Sequence, residues 1–335
     1  MTYSKPWLSI SEQLAKLKSR GMEVSDEAKA LDYLERIGYY RLSGYWYDFR
    51  TRGDAYCPLD PETGGKPKKV RTERPVLDDF KPGTRFQDAV DLYVFDKKLR
   101  LLVLDALERI EVALRVDLSH RLGEKDLFAY LKPELFHDSF AAKVNPATGL
   151  TQHHEWLTKH AGLIVRSREA FMTHNKDKYG LPVALWVACE VWDFGCMSML
   201  FSGLQTADQD AIASSYGVRD GRVFASWLRS LNYLRNVCAH HSRLWNRNIV
   251  EGPKLPAPGQ VGSLDGFVRD GSSALRTRPF LLLCICQHLM RMINPASSWG
   301  SRLKTHLLEE FPALSHLGIT LQGMGVDQGW EQRVW

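Results

Sequence analysis

The stretch "FQDAVDLYVFDKKLRLLVLDALERIEVALRVDLSHRL", Phe86–Leu122, decides the fold class. Leu92, Phe95, Leu99, Leu102, Ala106, Ile110, Ala113 and Leu114 recur three and four residues apart, which draws one continuous apolar seam along a helix. No glycine or proline interrupts it. So long a seam must be covered along its whole length, and the coverers it calls for are other helices.

The flanking segments supply them. After weaker patterning over 123–180, with a helix expected around Glu155–Asn175, comes "LPVALWVACEVWDFGCMSMLFSGL", Leu181–Leu204. It is long enough to suggest a membrane span. Glu190 and Asp193 near its middle argue instead for a buried helix of a soluble core, because an acid at a bilayer centre costs about 2.5–3.5 kcal/mol. "GRVFASWLRSLNYLRNVCAHHSRLWNR" predicts a helix over Gly221–Arg247, broken by the Gly/Pro-rich residues 251–272. "RPFLLLCICQHLMRMINP", Arg278–Pro295, predicts a last core helix. On the other side, Ser9 and Glu12 form a capping-box pattern for a helix ending at Gly21, and a second helix is expected from Ser25 to Ile37. The aromatic run "GYYRLSGYWYDFR" follows. Thr51–Gly83, with "TGGKPKKVRTERP", then reads as an exposed basic loop. Few segments alternate as strands do. The expectation is a mostly α protein, with an N-terminal helical module (1–50), a basic Pro/Gly-rich insertion (51–85), a helical bundle (86–295) and a C-terminal helical tail (296–335).

Composition agrees with a globular chain: 335 residues, 44% hydrophobic and 25% charged. A net charge of +5 permits a nucleic-acid partner without demanding one. The six cysteines form no CxxC pair, which suits reduced thiols in the cytoplasm. "MTYSKPWLSISEQ" has no secretory pattern, and neither a cofactor nor a membrane is implied. His153 and His154 lack partners at metal-ligand spacing, so no metal site is expected.

The chemistry concentrates in "SLNYLRNVCAHHSRLWNR", Ser230–Arg247, which has two adjacent histidines, three asparagines and three arginines but no acid. At 100° per residue, Trp227, Leu231, Leu234, Cys238 and Trp245 share one side. Arg229, Asn232, Asn236, His240, Arg243 and Arg247 share the other, with Arg235 on the flank. His241 leans to the apolar side and reads as structural. His240 lies on the wet face, and an imidazole exchanges protons near neutral pH. Arginine forks suit phosphate oxygens. These parts suffice for metal-free RNA cleavage, in which a 2′-hydroxyl attacks its own phosphodiester. They equally suit a basic helix that binds without cutting.

"RNVCAH", Arg235–His240, matches the Arg-x4-His signature of HEPN ribonucleases. The longer run "LNYLRNVCAHHSRLWNR" resembles the C-terminal motif of the Abi family, the AbiD/AbiF-like abortive-infection proteins. "YYRLSGYW" (Tyr39–Trp46), "YVFDKKLRLLVLDALERIEVALR" (Tyr93–Arg115) and "LWVACEVWDFG" (Leu185–Gly195) resemble the same family in the same order. The resemblance implies a HEPN-like helical core and a metal-independent endoribonuclease of antiphage defence. Arg235, Asn236 and His240 would be catalytic, with Arg229, Arg243 and Arg247 on the RNA. It also implies a homodimer that pairs two motifs, and a small-RNA or protein antitoxin as restraint. HEPN domains also serve as catalytically silent binding modules. A second Arg-x4-His, Arg115–His120, reads as structural, since Glu111 precedes Arg115 at ion-pair spacing and His120 turns toward the seam. Glu111 or Arg115 is expected to orient the Arg235 helix from behind, with His241 as a further supporting residue.

Overall fold

The computed structural model describes residues 4–56, 74–270, 273–326 and 328–332. The long seam forms one unbroken helix, α4 in chain order, Phe86–Gly123. Leu92, Phe95, Leu99, Ala106, Ile110, Leu114, Leu118 and Leu122 along it are buried. The chain divides into two compact units: Met1–Lys98 with His306–Leu321, and Leu99–Thr305 with Gln322–Trp335. The division therefore falls inside α4.

In the first unit, α1 (Ile10–Ser19) opens with the capping box foreseen from Ser9 and Glu12. Next come α2 (Glu27–Arg36), capped by Asp26, and α3 (Tyr39–Trp46). The "YYRLSGYW" motif is α3 itself. It buries Leu42, Tyr45 and Trp46, and the Tyr45 hydroxyl donates to the buried Asp96 carboxylate at 2.7 Å. The expected irregular insertion is anchored by paired strands, β1 (Arg50–Arg52) and β2 (Val76–Phe80), antiparallel with Arg50 opposite Phe80. The most basic part of that insertion, including Cys57 and most of "KPKKVRTER", lies outside the described residues.

The second unit contains α5 (Asp138–Ala141), α6 (Gln152–Arg166) and α7 (Ala170–Tyr179). One helix was expected where α6 and α7 stand; extended backbone at Ser167 and Glu169 separates them. The apolar stretch Leu181–Leu204 is likewise broken, into α8 (Leu185–Ala188), a 3-10 turn and α9 (Phe194–Gly203). The cause is Asp193. Its carboxylate caps α9 by accepting the Cys196 N–H at 2.7 Å, so the chain leaves and re-enters helix around an extended Trp192.

Beyond these lie α10 (Thr206–Ser215), α11 (Gly221–Ala239), α12 (Asp265–Asp270), α13 (Ser273–Arg276), α14 (Pro279–Ile293) and α15 (Trp299–Glu309). α14 is the expected core helix, with Phe280–Gln287, Leu289 and Met290 buried. α11 packs against α9, α10 and α14. The Trp156 indole of α6 donates to Cys196 O of α9 at 2.9 Å. Residues 251–254 run back along α11, where Lys254 O accepts the Trp227 indole N–H at 2.8 Å. The fold is mostly α, as the sequence predicts. The five described cysteines are buried and form no disulfide with one another. Among the described residues no helix is long and apolar enough to cross a membrane.

Candidate functional site

Three segments distant in sequence meet within the second unit. Arg115 of α4 fixes the junction. Its Nε donates to Cys189 O at 2.9 Å, and Nη2 donates to Trp192 O at 3.2 Å and to Glu111 Oε1 at 3.3 Å. Both carbonyls are open to this donor because the chain leaves helical geometry before α9; Cys189 O also accepts the Trp192 N–H at 3.1 Å. The Glu111–Arg115 pair thus has its predicted i,i+4 geometry, and the guanidinium is used up holding α4 to the α8–α9 break.

On this base lies an open groove of about 360 Å³, where Glu108, Glu111, Val112 and Arg115 of α4 face Arg235 of α11. Arg235 is half-buried, and no hydrogen bond or ion pair holds its side chain among the described residues. A buried ion pair would have favoured a purely structural role for this arginine, and none is formed among the described residues. Burial pushes the Glu111 carboxyl above its ordinary range, against the opposing charges of Arg115 and then Arg235. Asp193 goes the other way. Burial acts to raise it, but the Lys159 ammonium at 2.7 Å, the Cys196 N–H and the Arg235 charge together hold it below its ordinary value. Gly195 makes room next to this pair. A Cβ there would stand 3.1 Å from Lys159 Nζ and 3.2 Å from Asn232 Oδ1, a tight fit to which these two side-chain ends would have to give way.

α11 does not run to Arg247 as predicted; it ends at Ala239. His240 is the C-cap, and His241 follows in left-handed conformation at φ 57°. His241 N donates to Cys238 O at 3.1 Å and Ser242 N to Val237 O at 2.9 Å, the paired bonds of a Schellman turn. The buried Arg100 of α4 reaches the turn, with Nη1 donating to Ser242 O at 3.4 Å. His241 is the one non-glycine residue with positive φ among the described residues.

This termination corrects several placements. His241 is exposed rather than turned to the apolar side, because helical periodicity stops before it. Arg243 and Arg247 are off the helix and half-buried. Arg247 donates from Nε to the Tyr233 hydroxyl at 2.6 Å and covers that ring at 5.5 Å. Arg229, Asn236 and His240 do share one exposed stripe of α11, as expected. His120 is exposed instead of facing the seam, since the buried positions of α4 continue through Leu114, Leu118 and Leu122. His153 is buried, its Nε2 2.8 Å from Tyr130 O, and His154 Nδ1 lies 2.7 Å from the Thr151 hydroxyl.

The three segments that converge here are those quoted above for their family resemblance: the α4 seam, the α8–α9 break and the end of α11. A family model described as "Abi-like protein" matches residues 32–246, more than half of the chain, and closes at the turn after α11. The chain belongs to this family. Membership places it among abortive-infection-type defence proteins. No curated protein and no solved structure matches it. In this Abi-like protein, sequence reasoning missed Arg100, Lys159 and Gly195 as neighbours of the site. Only Gly195 carried a signal, as the residue closing the "LWVACEVWDFG" motif.

Proposed function

We propose that this Abi-like protein is a metal-independent endoribonuclease of HEPN type whose reacting groups are Arg235, Asn236 and His240. One observation carries the reading. An acid-free Arg-x4-His segment ends a helix with its imidazole exposed, while its arginine, without an ion pair among the described residues, lies in a groove beside a carboxyl that burial disfavours as an anion. The 2′-hydroxyl oxygen bonds to phosphorus and the P–O5′ bond breaks, leaving a cyclic phosphate and a 5′-hydroxyl. One imidazole accepts the 2′ proton and another delivers a proton to the leaving oxygen. Arg235 stabilises the charge that builds on the phosphorane. Asn236 orients the phosphate or the ring, and Arg229 and Arg243 hold the flanking backbone. Glu111 and Arg115 position α11 from α4.

One chain carries one such segment, so two proton-transfer groups call for a homodimer. A monomer that still cuts RNA refutes that part. The whole is tested by incubating purified protein with total RNA and chelator, wild type beside His240→Ala, and mapping the new ends. Loss of cleavage with RNA affinity kept supports the nuclease. Binding without cleavage in the wild type supports the alternative, a silent RNA-binding module. An antitoxin, small RNA or protein, accompanies the nuclease reading as the restraint such an activity needs in the cytoplasm.

A further inference from the structure

Within the first unit, α1, α3 and the β1–β2 ladder enclose an open pocket of about 400 Å³. Its walls combine two kinds of side chain. Lys5, Lys16, Arg20 and Arg50 are cationic, and the one carboxylate among the lining residues is Asp78, which pairs with both arginines. Tyr40 and Tyr47 are aromatic and unusually bare for their size, 91% and 45% exposed. The Arg52 guanidinium lies over the Tyr47 ring at 5.6 Å, while Tyr39 and Trp46 brace each other edge to face at 5.3 Å. Partly bare rings beside spare cations are the elements with which proteins hold single-stranded nucleic acid: the rings stack bases and the cations follow phosphates.

A second observation points the same way. Two lining residues carry a buried polar atom with no partner among the described residues, the acceptor Gln13 Oε1 and the donor Arg50 Nε. Buried groups of this kind are rare and call for an explanation. Both atoms are sealed from solvent, so a ligand reaches them where the Gln13 or Arg50 side chain turns into the pocket, and a nucleobase edge can then meet the donor and the acceptor together.

We infer that this pocket is a nucleotide-binding site, taking a base on Tyr40 and its phosphate on Lys5 and Lys16. It is separate from the α11 groove and independent of whether that groove cuts RNA. The ligand is either a free nucleotide or one unit of an RNA strand.

The test uses the full chain carrying His240→Ala, so that the probe survives whatever the groove does. A fluorescent oligouridine of about 12 nucleotides, within the usual site size, carries one 4-thiouridine for photo-cross-linking. Cross-links to residues 39–50 are expected, with affinity lowered about tenfold by Tyr40→Ala and similarly by Lys16→Glu, in keeping with the loss of one stacked base. Tyr40 is too exposed for its loss to unfold the protein. Displacement of the probe by uridine monophosphate assigns the pocket to free nucleotides. Failure to displace a probe cross-linked there assigns it to RNA; both results uphold the site. Cross-links confined to 229–247 with affinity unchanged in both variants overturn it. So does equal displacement by polyglutamate together with an unaltered Tyr40→Ala.

Discussion

The chain holds two Arg-x4-His pairs on two helices, Arg115–His120 on α4 and Arg235–His240 on α11, and they meet different fates. Arg115 is 15% exposed and spends its guanidinium on two backbone carbonyls and Glu111. Arg235 lies across the same groove with no such partners among the described residues. His120 lies exposed in the last turn of α4, whereas His240 is the C-cap of α11 next to a residue of positive φ. Identical spacing therefore says little about role. What separates the pairs is chiefly whether tertiary neighbours have already used the arginine, since both histidines stand near a helix C-terminus.

The sharpest way to break this comparison is kinetic. His240→Ala is expected to lower RNA cleavage by about 10²–10⁴, the usual worth of general acid–base catalysis, and His120→Ala to leave it unchanged. Equal losses in end-mapping assays would sink the distinction.

Next in size is stability. Arg115→Ala strands the Trp192 carbonyl and a half-buried carboxylate, takes one of two donors from Cys189 O, and should cost about 2–3 kcal/mol in chemical denaturation. Arg235→Ala, removing a side chain with no hydrogen bond or ion pair among the described residues, should cost less than about 1 kcal/mol. A reversed order would mean that Arg235 is the structural arginine.

Acid probes the wall behind the site. The Trp192 indole N–H can only donate, so at 2.9 Å it requires an unprotonated His160 Nδ1, and burial pushes that imidazole down to about 4. A pKa lowered by folding means the unfolded chain binds the extra proton first. Stability should therefore be full above about pH 6.5 and fall as pH drops toward 4, by at most on the order of 3 kcal/mol. Melting curves of wild type and His160→Gln across that window check this; the variant should lack the His160 part of the slope.

The smallest effect concerns the turn. Left-handed backbone strains a residue with a Cβ, so His241→Gly should raise stability by up to about 1 kcal/mol. A lower melting temperature would show that the imidazole holds the turn through contacts of its own.

Much of the fold was legible. The α4 seam, the Ser9–Glu12 box and the α14 core helix follow from periodicity and capping, which are local. The candidate segment was legible too, because acid-free clustering of arginine, asparagine and histidine is a property of the chain. Three boundaries were not. Asp193 broke an apolar run that reads as one helix, extended backbone after Arg166 parted α6 from α7, and α11 stopped at Ala239 although its apolar pattern continues to Trp245.

The sequence by itself determined that the protein is helical, that Arg229, Asn236 and His240 share a wet stripe, and that Glu111 and Arg115 pair. Those facts depend on spacing along one helix. Only the tertiary structure decided that Arg115 is spent and Arg235 is not, that Gly195 of α9 lies close to Asn232, and that His241 stands exposed in a strained turn tied to Arg100. Each of these depends on backbone groups brought together from segments tens of residues apart, and no local pattern encodes which carbonyl will be left needing a donor.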